Sequence, residues 1–220
     1  MRISVIGCGY LGAVHAASMA ELGHDVVGID VDAAKVARLG QGKAPFHEPG
    51  FEELLERNVR AGRLRFSTDF ADVAGARVHF IGVGTPQQEG SYAADMSQVD
   101  GAVASLLPHL APTPQGPPVV VGKSTVPVGT AAQIAAQVEA RGAILVWNPE
   151  FLREGFAVQD TISPDRMVYG LPRDEQAAQI GRTVLDEVYD DLINRQQIPR
   201  LLTDYATAEL VKVAANSFLA

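Results

Sequence analysis

Residues 1–30 read MRISVIGCGYLGAVHAASMAELGHDVVGID, and the order of their segments predicts the class of fold. An apolar run with β-branched residues (1–6) leads directly into the glycine-rich segment GCGYLG (7–12). A helical pattern follows, and then a second apolar run that ends on Asp30. Strand, glycine turn, helix, strand and acid, in this order, are typical of a dinucleotide-binding unit.

Each glycine of this segment has a distinct predicted task. Gly7 allows a tight turn, Gly9 lets the backbone approach a pyrophosphate, and Gly12 lets the helix pack close to the strand. The first N–H groups of that helix then face the phosphates. Asp30 stands 18 residues after Gly12, where its carboxylate can accept hydrogen bonds from the adenine ribose. A glycine turn that only packs a helix on a sheet is the alternative, but it leaves the acid unexplained.

Asp30 also predicts NAD rather than NADP. Its carboxylate would repel a 2′-phosphate, and no arginine follows within the next few residues.

Composition excludes several classes of protein. The chain has 220 residues, 47% of them hydrophobic, which is enough for one large domain or a domain plus part of another. A net charge of −8 argues against nucleic acid or an anionic membrane as partner. The single cysteine, Cys8, excludes an intrachain disulfide and a cysteine-based metal cluster, and we predict no metal site. No run approaches the roughly 18 apolar residues of a membrane span, and the N-terminus lacks a signal-peptide layout, so we expect a cytoplasmic enzyme domain.

Apolar, β-rich runs alternate with helical patterns along the whole chain. This alternation predicts an α/β, Rossmann-type, doubly wound and mainly parallel sheet with helices on both faces. The predicted strands are 1–6, 26–29, 64–66, 77–83, 119–122, 143–147, 165–170 and 200–203. The predicted helices are 13–22, 33–39, 51–61, 69–74, 97–110, 131–140, 173–188 and the segment from 205 onward, with Thr130 as the N-cap of the sixth.

Small polar residues follow two of the buried strands. Gly84-Thr85-Pro86 comes after one, and KSTVPVGT (123–130) after the next. Ligands bind at the carboxyl ends of strands in such sheets, and the Thr85 hydroxyl can bond a phosphate or a ribose; a plain turn is the alternative. Lys35, one turn beyond Asp30, is either a contact to the adenosine or a solvated surface lysine.

Two later segments carry charged groups. NPEFLREG (148–155) puts two carboxylates and a guanidinium directly after a strand, either for acid–base work and sugar binding or as a helix N-terminus decorated with acids. Lys212 and Asn216 share one face of the last helix, with Glu209 next to them. That face is either a solvated strip or the floor of a polar site. The helix has no stop signal, so we expect Ala220 to lie inside a continuing helix.

These segments together resemble the N-terminal half of a known family, the UDP-glucose 6-dehydrogenase and GDP-mannose 6-dehydrogenase family of nucleotide-sugar dehydrogenases. The matching segments, in family order, are GCGYLG at 7–12, Asp30, GVGTP at 82–86, KSTVPVGT at 123–130, NPEFLREG at 148–155, SPDRMVYG at 163–170 and AELVKVAANSFLA at 208–220. PEFLREG and the VP of STVPVGT favour the UDP-glucose branch.

The resemblance implies a reaction and a set of residues. The family oxidises C6 of the sugar to a carboxylate with two NAD+, through an aldehyde and a cysteine-bound thioester that water hydrolyses. Thr125 would orient the water or hydroxyl at C6, Glu154 would act as base or proton relay, and Lys212 with Asn216 would stabilise the oxyanion. For NAD the resemblance implicates Gly7, Gly9, Tyr10, Leu11, Gly12, Asp30, Lys35, Thr85, Thr125 and Glu154. For UDP-glucose it implicates Phe151, Leu152, Arg153, Glu154, Lys212 and Asn216.

One departure limits this inference. The nucleophilic cysteine of the family belongs to the following domain, and Cys8 lies in the nucleotide loop, where it cannot replace it. We therefore expect an NAD-binding domain at 1–203 and the beginning of a linker helix at 204–220, in a fragment that is inactive alone. The full-length enzyme would be a homodimer, and the last helix of the fragment would be partly exposed. GDP-mannose 6-dehydrogenase and a non-catalytic NAD-binding module are the alternatives.

Overall fold

One sheet organises the computed structural model, which describes residues 1–219. Its strands are β1 (Arg2–Ile6), β2 (Asp25–Ile29), β3 (Leu64–Ser67), β4 (Val78–Ile81), β5 (Val119–Gly122), β6 (Ile144–Trp147), β7 (Met167–Leu171) and β8 (Arg200–Asp204). The α-helices are α1 (Tyr10–Glu21), α2 (Ala33–Gly40), α3 (Phe51–Arg60), α4 (Ser97–Leu106), α5 (Thr130–Glu139), α6 (Ala157–Ile162), α7 (Glu175–Val188) and α8 (Tyr205–Leu219). Ala220, where we predicted an interrupted helix, lies outside the described residues.

The strand order is β3-β2-β1-β4-β5-β6-β7-β8. Pairing is parallel from β3 through to β6, so β1 has β2 on one side and β4 on the other, with Ile3 in register with both Val26 and Val78. β7 pairs antiparallel with β6 at Trp147 and Gly170, and β8 is parallel to β7. The predicted doubly wound, mainly parallel sheet is therefore confirmed. The glycine turn begins at the carboxyl end of β1, next to β4. The strand order reverses between these two strands, and such sheets bind ligands at that point.

Helices cover both faces of the sheet, which is why its central strands are apolar throughout. Alternate residues of a strand face opposite layers, so Val26 belongs to the core beneath α1, α3 and α7, and Val27 to the core beneath α4 and α5. None of the helices in residues 1–219 has the length and apolar character needed to cross a lipid bilayer.

The element boundaries differ from prediction in several places. The helix predicted over 97–110 ends at Leu106 and continues only as a 3₁₀ turn, Leu107–His109. The short helix α6 and a π-helical turn at Asp191–Arg195 were not predicted. Both are short segments held by tertiary contacts, which leave little periodicity in the sequence.

The predicted N-cap of α5 was wrong. The cap position is Gly129, with φ of +102°, and the Thr130 hydroxyl donates to the Pro127 carbonyl instead. The N–H groups of Gly129 and Ala131 donate to the two carboxylate oxygens of Glu209, each at 2.6 Å. A side chain about eighty residues away thus replaces a local cap, because it supplies two acceptors and a negative charge at the positive end of the helix.

Candidate functional site

The glycine turn after β1 has the shape required to receive a phosphate group. A Cβ atom on Gly12 would lie 1.7 Å from the Gly7 carbonyl oxygen, so only glycine lets α1 approach the strand this closely. A Cβ on Gly9, by contrast, would have no atom within 4 Å. Because Gly9 is the N-cap of α1, this open space lies at the helix end whose N–H groups attract anions. The turn therefore fits the pyrophosphate of NAD.

Asp30 is joined to this turn by hydrogen bonds. Its carboxylate accepts from the N–H of Cys8 at 2.8 Å and from the N–H of Asp32 at 3.0 Å. It also pairs with the Lys35 ammonium at 2.9 Å, and only 8% of Asp30 is exposed. Lys35 is thus an ion-pair partner of Asp30 and not an isolated surface lysine. Its predicted contact to the adenosine stays a prediction. The pair places one anion and one cation together at the tip of β2.

Cys8 lies beneath this turn. It is fully buried, with its thiol 3.6 Å from the Ile29 carbonyl oxygen, and burial raises the pKa of the thiol far above its ordinary value. A thiol that stays protonated and inaccessible is a poor nucleophile. The structure therefore agrees with the inference that Cys8 does not replace a catalytic cysteine.

The two segments of small polar residues that follow β4 and β5 are tied to each other. The Thr85 hydroxyl donates to the Thr125 carbonyl, and the Ser124 hydroxyl donates to the Val83 carbonyl, both at 2.7 Å. The proton of Thr85 is therefore used within the protein, and Thr125 is half-buried beside it. These reciprocal bonds fix the carboxyl ends of neighbouring strands relative to each other.

A cavity of about 260 Å³ lies between the start of α1, the segment after β6 and the helix α8. It brings together six of the residues predicted for cofactor or substrate, namely Leu11, Phe151, Leu152, Arg153, Lys212 and Asn216. Thr125 and Glu154 are not among its lining residues, and Glu154 is exposed. The roles predicted for these two residues stay predictions.

An ion pair lies in the wall of this cavity. The Lys212 ammonium is 3.1 Å from the Glu150 carboxylate, with only 8% and 17% of the two side chains exposed. It also lies 5.5 Å from the centre of the Phe151 ring. On the polar face of α8, Lys212 is therefore buried in the cavity wall, whereas Asn216 also lines the cavity but is exposed. In the segment 148–155 the cavity carboxylate is Glu150, whereas the resemblance pointed to Glu154.

Arg153 is held by a neighbouring helix. Its guanidinium makes a two-pronged pair with the Asp160 carboxylate, at 2.7 and 3.0 Å, and lies 4.9 Å from the centre of the Phe156 ring. The hydrogen-bonded pairing raises the pKa of Arg153 and lowers that of Asp160. Asp160 also lines the cavity, so α6 contributes a carboxylate that the sequence motifs did not reveal.

A buried polar network forms the inner end of the cavity. The Lys123 ammonium donates to the Asn148 side-chain oxygen at 3.1 Å, and the Tyr189 hydroxyl donates to the same oxygen at 3.0 Å. The Asn148 amide then donates to the Val168 carbonyl. Burial lowers the pKa of Lys123 to about 8. A lysine that follows a fully apolar strand was the available signal for this group, since such a charge needs buried acceptors.

Glu209 links the two halves of the site. Its carboxylate caps α5, at the end of the 123–130 segment that carries Thr125. Lys212 lies one helical turn further along α8, on the same side as Glu209. The capping bonds therefore fix the position of Lys212 relative to the ends of β5 and β6.

Comparison with known proteins gives a consistent result. The model of the UDP-glucose/GDP-mannose dehydrogenase family, NAD binding domain, matches residues 1–193. A UDP-glucose 6-dehydrogenase of Rhizobium meliloti is 43% identical over all of this chain and half of its own length. The UDP-glucose dehydrogenase structure of Pyrobaculum islandicum superimposes with a TM-score of 0.86 at 39% identity, covering 99% of this chain and 49% of that one.

A GDP-mannose dehydrogenase structure of Pseudomonas aeruginosa superimposes equally well. Its TM-score is 0.87 at 31% identity, over 99% of this chain and 50% of that one. This chain thus spans about half the length of the UDP-glucose 6-dehydrogenases that it matches. The glycine turn with Asp30 and the similarity over residues 1–193 both indicate NAD binding. The chain therefore belongs to the UDP-glucose/GDP-mannose dehydrogenase family, as an NAD-binding domain.

Proposed function

We propose that this chain is the NAD-binding half of a UDP-glucose 6-dehydrogenase, which oxidises C6 of UDP-glucose to the carboxylate of UDP-glucuronate with two NAD+. The observation that carries this proposal is the cavity in which Leu11, at the start of α1, meets Phe151 and the Lys212–Glu150 pair. A cofactor-side residue and a set of sugar-side residues share one space there.

The proposal assigns cofactor binding, substrate orientation, charge stabilisation and proton transfer to different residues. NAD, when bound, supplies the two-electron acceptor. The glycine turn and Asp30 hold it, and Thr125, at the end of β5, orients the hydroxyl or water at C6. Lys212 is a largely buried cation at the cavity wall, where it stabilises an oxyanion more strongly than a solvated lysine would, and Asn216 helps it one turn on. Glu154 is the proposed base or proton relay, and Glu150 keeps Lys212 in place.

UDP-glucose is preferred over GDP-mannose as substrate for two reasons. The segments PEFLREG and STVPVGT match the UDP-glucose branch. Identity is 39% to the Pyrobaculum islandicum UDP-glucose dehydrogenase against 31% to the Pseudomonas aeruginosa GDP-mannose dehydrogenase. GDP-mannose remains the second candidate, because the two structures match this chain equally well in backbone.

The remaining steps need groups from outside this chain. Buried Cys8 is not the thioester nucleophile, so we propose that a cysteine of a following domain is, and that residues 204–220 begin the helix leading to it. We also propose that the full-length enzyme is a homodimer and is located in the cytoplasm.

Calorimetry and a turnover assay test the proposal together. We expect the 220-residue chain to bind NAD+ and to produce no NADH from UDP-glucose. Turnover should appear when the coding sequence that follows Ala220 is expressed with it. Turnover of UDP-glucose by the chain alone would refute the need for an external cysteine, and faster turnover of GDP-mannose would establish the second candidate. A stop codon directly after Ala220 would favour a non-catalytic NAD-binding module.

A further inference from the structure

Glu48 connects two segments that the proposed function places on opposite sides of the reaction. It lies in the loop between α2 and α3, and only 5% of it is exposed. Its carboxylate accepts a hydrogen bond from the Tyr10 hydroxyl on the cofactor side. On the substrate side it accepts from the N–H of Gly155 at 3.0 Å and the N–H of Ala157 at 2.8 Å.

Tyr10, Gly155 and Glu48 form a closed triangle of hydrogen bonds. The Gly155 N–H lies between the Glu48 carboxylate and the Tyr10 hydroxyl oxygen, which is 3.3 Å away. Tyr10 therefore donates to Glu48 and accepts from Gly155 at the same time. Burial, and to a smaller extent the hydrogen bond to Glu48, raises the pKa of Tyr10 to about 12. The hydroxyl therefore stays protonated and remains a hydrogen-bond donor.

Aromatic packing holds the Glu48 loop against the glycine turn. The Phe46 ring lies 4.9 Å from the Tyr10 ring and stacks 5.0 Å from the Phe51 ring at the start of α3. Within residues 1–219, Glu48 has no lysine or arginine within ion-pair distance. A largely buried carboxylate without a cation is stable only while its hydrogen-bond donors stay in place.

We propose that Glu48 is a positioning residue that couples the NAD-binding turn to the substrate-side segment 151–155. The inference rests on the proposed function, because it takes Tyr10 as part of the cofactor site and Phe151 to Glu154 as part of the sugar site. Tyr10 is the first residue of α1, so a nucleotide that orders this turn also orders the Tyr10 ring. Glu48 then transmits that order to the amides of Gly155 and Ala157, and through them to the residues just before them.

Hydrogen exchange of the 220-residue chain, with and without NAD+, tests the coupling. We expect NAD+ to slow exchange of the Gly155 and Ala157 amides, although neither lies in the glycine turn. In Glu48→Gln one acceptor oxygen becomes an NH2 group, which cannot accept from an N–H. NAD+ should still bind this variant, but it should no longer protect these two amides. Glu52→Gln, at an exposed position of α3, is the matched control and should behave like wild type.

A double-mutant cycle with Tyr10→Phe adds a test that needs no ligand. Each single variant should speed exchange of the two amides by about tenfold, which corresponds to loss of one hydrogen bond of ordinary strength. The double variant should be about as fast as either single one, because both substitutions break the same unit. If Glu48→Gln does not fold, hydrogen exchange of the same two amides in Tyr10→Phe, with and without NAD+, still tests the coupling.

The outcomes separate the two levels of inference. Absence of NAD+ binding by the wild-type chain would overturn the proposed function and this coupling with it. NAD+ binding that leaves the Gly155 and Ala157 amides unprotected would overturn the coupling alone. Multiplicative effects of the two substitutions would show that Glu48 and Tyr10 act independently and would also overturn it.

Discussion

Gly9 and Gly12 belong to the same turn but have different surroundings. Gly12 has a carbonyl oxygen where its Cβ would be, and Gly9 has open space and an ordinary φ of −68°. We expect Gly12→Ala to destabilise the fold severely, by about 3 kcal/mol or more, since backbone atoms must move.

Gly9→Ala should leave the unfolding free energy almost unchanged but weaken NAD+ binding strongly, because its methyl group would occupy the space of the pyrophosphate. Urea denaturation and calorimetric titration of both variants measure the two effects. Normal NAD+ affinity in Gly9→Ala would contradict the assignment of this turn to the pyrophosphate.

We predict that Asp30 decides between NAD+ and NADP+. Hydrogen bonds to a charged acceptor contribute about 1.5–3 kcal/mol, and neutral ones about 1 kcal/mol. Asp30→Asn should therefore raise the Kd for NAD+ by about tenfold and narrow its preference over NADP+, because the charge that repels a 2′-phosphate is gone. Asp25→Asn, at the exposed start of the same strand, is the control. Equal affinity of the wild-type chain for the two cofactors would refute the prediction.

We expect Lys123 to make the unfolding free energy depend on pH. Burial lowers its pKa to about 8 in the folded chain, and an unfolded lysine has a pKa of about 10.4. Between these values the unfolded chain holds a proton that the folded chain has lost, so the unfolding free energy rises with pH in this window. The slope approaches about 1.4 kcal/mol per pH unit, and below the folded pKa the contribution is constant.

Urea unfolding at several pH values measures this slope as the difference between wild type and Lys123→Met, which removes the contributions of other groups. The wild-type chain should gain about 1–2 kcal/mol relative to the variant between pH 8 and 9.5. The exposed Lys43→Met is the matched control and should keep the wild-type profile. Parallel profiles for wild type and Lys123→Met would mean that the folded chain keeps the Lys123 proton over this pH range, and would contradict the lowered pKa of Lys123.

At the level of elements, α8 and α5 depend on each other through Glu209. Glu209→Gln removes one of the two acceptors and the negative charge at the start of α5. We expect a loss of about 1–3 kcal/mol in unfolding free energy, as for a cap combined with an unsatisfied buried donor. Glu139→Gln, exposed at the other end of α5, should have little effect. A change in Glu209→Gln no larger than in this control would show that the cap does not hold α8.

The elements themselves were largely readable from the sequence. The runs 26–29 and 119–122 are continuous and apolar because both faces of those strands are buried, and the helices between them have the matching period. The antiparallel placement of β7 and the cap from Glu209 were not readable, because each depends on a partner distant in sequence. The predicted boundary between domains after residue 203 falls inside β8 and stays a prediction.

For the whole molecule, the apolar surface near the end of the chain affects association. Leu210 of α8 is 54% exposed and Phe218 is 92% exposed, and Leu201 and Leu202 of the edge strand β8 are exposed as well. Exposed apolar side chains beside an unpaired strand edge promote self-association. We expect the apparent mass of the 220-residue chain to rise with concentration in light scattering, and Leu210→Lys to reduce that rise. Strictly monomeric behaviour at high concentration would count against this prediction.

The amino-acid sequence alone predicts the sheet, the glycine turn, the position of Asp30 and the placement of Lys212 and Asn216 on one helix face. These features depend on local periodicity and on spacing within one or two elements, which the chain carries directly. Only the tertiary structure showed that Glu150 pairs with Lys212, that Lys123 lies beneath them and that Glu48 joins Tyr10 to Gly155. Each of these contacts brings a charged group to donors, acceptors or an opposite charge on another segment. A buried charge must find such partners wherever the fold places them, and their distance along the chain leaves no pattern in the sequence.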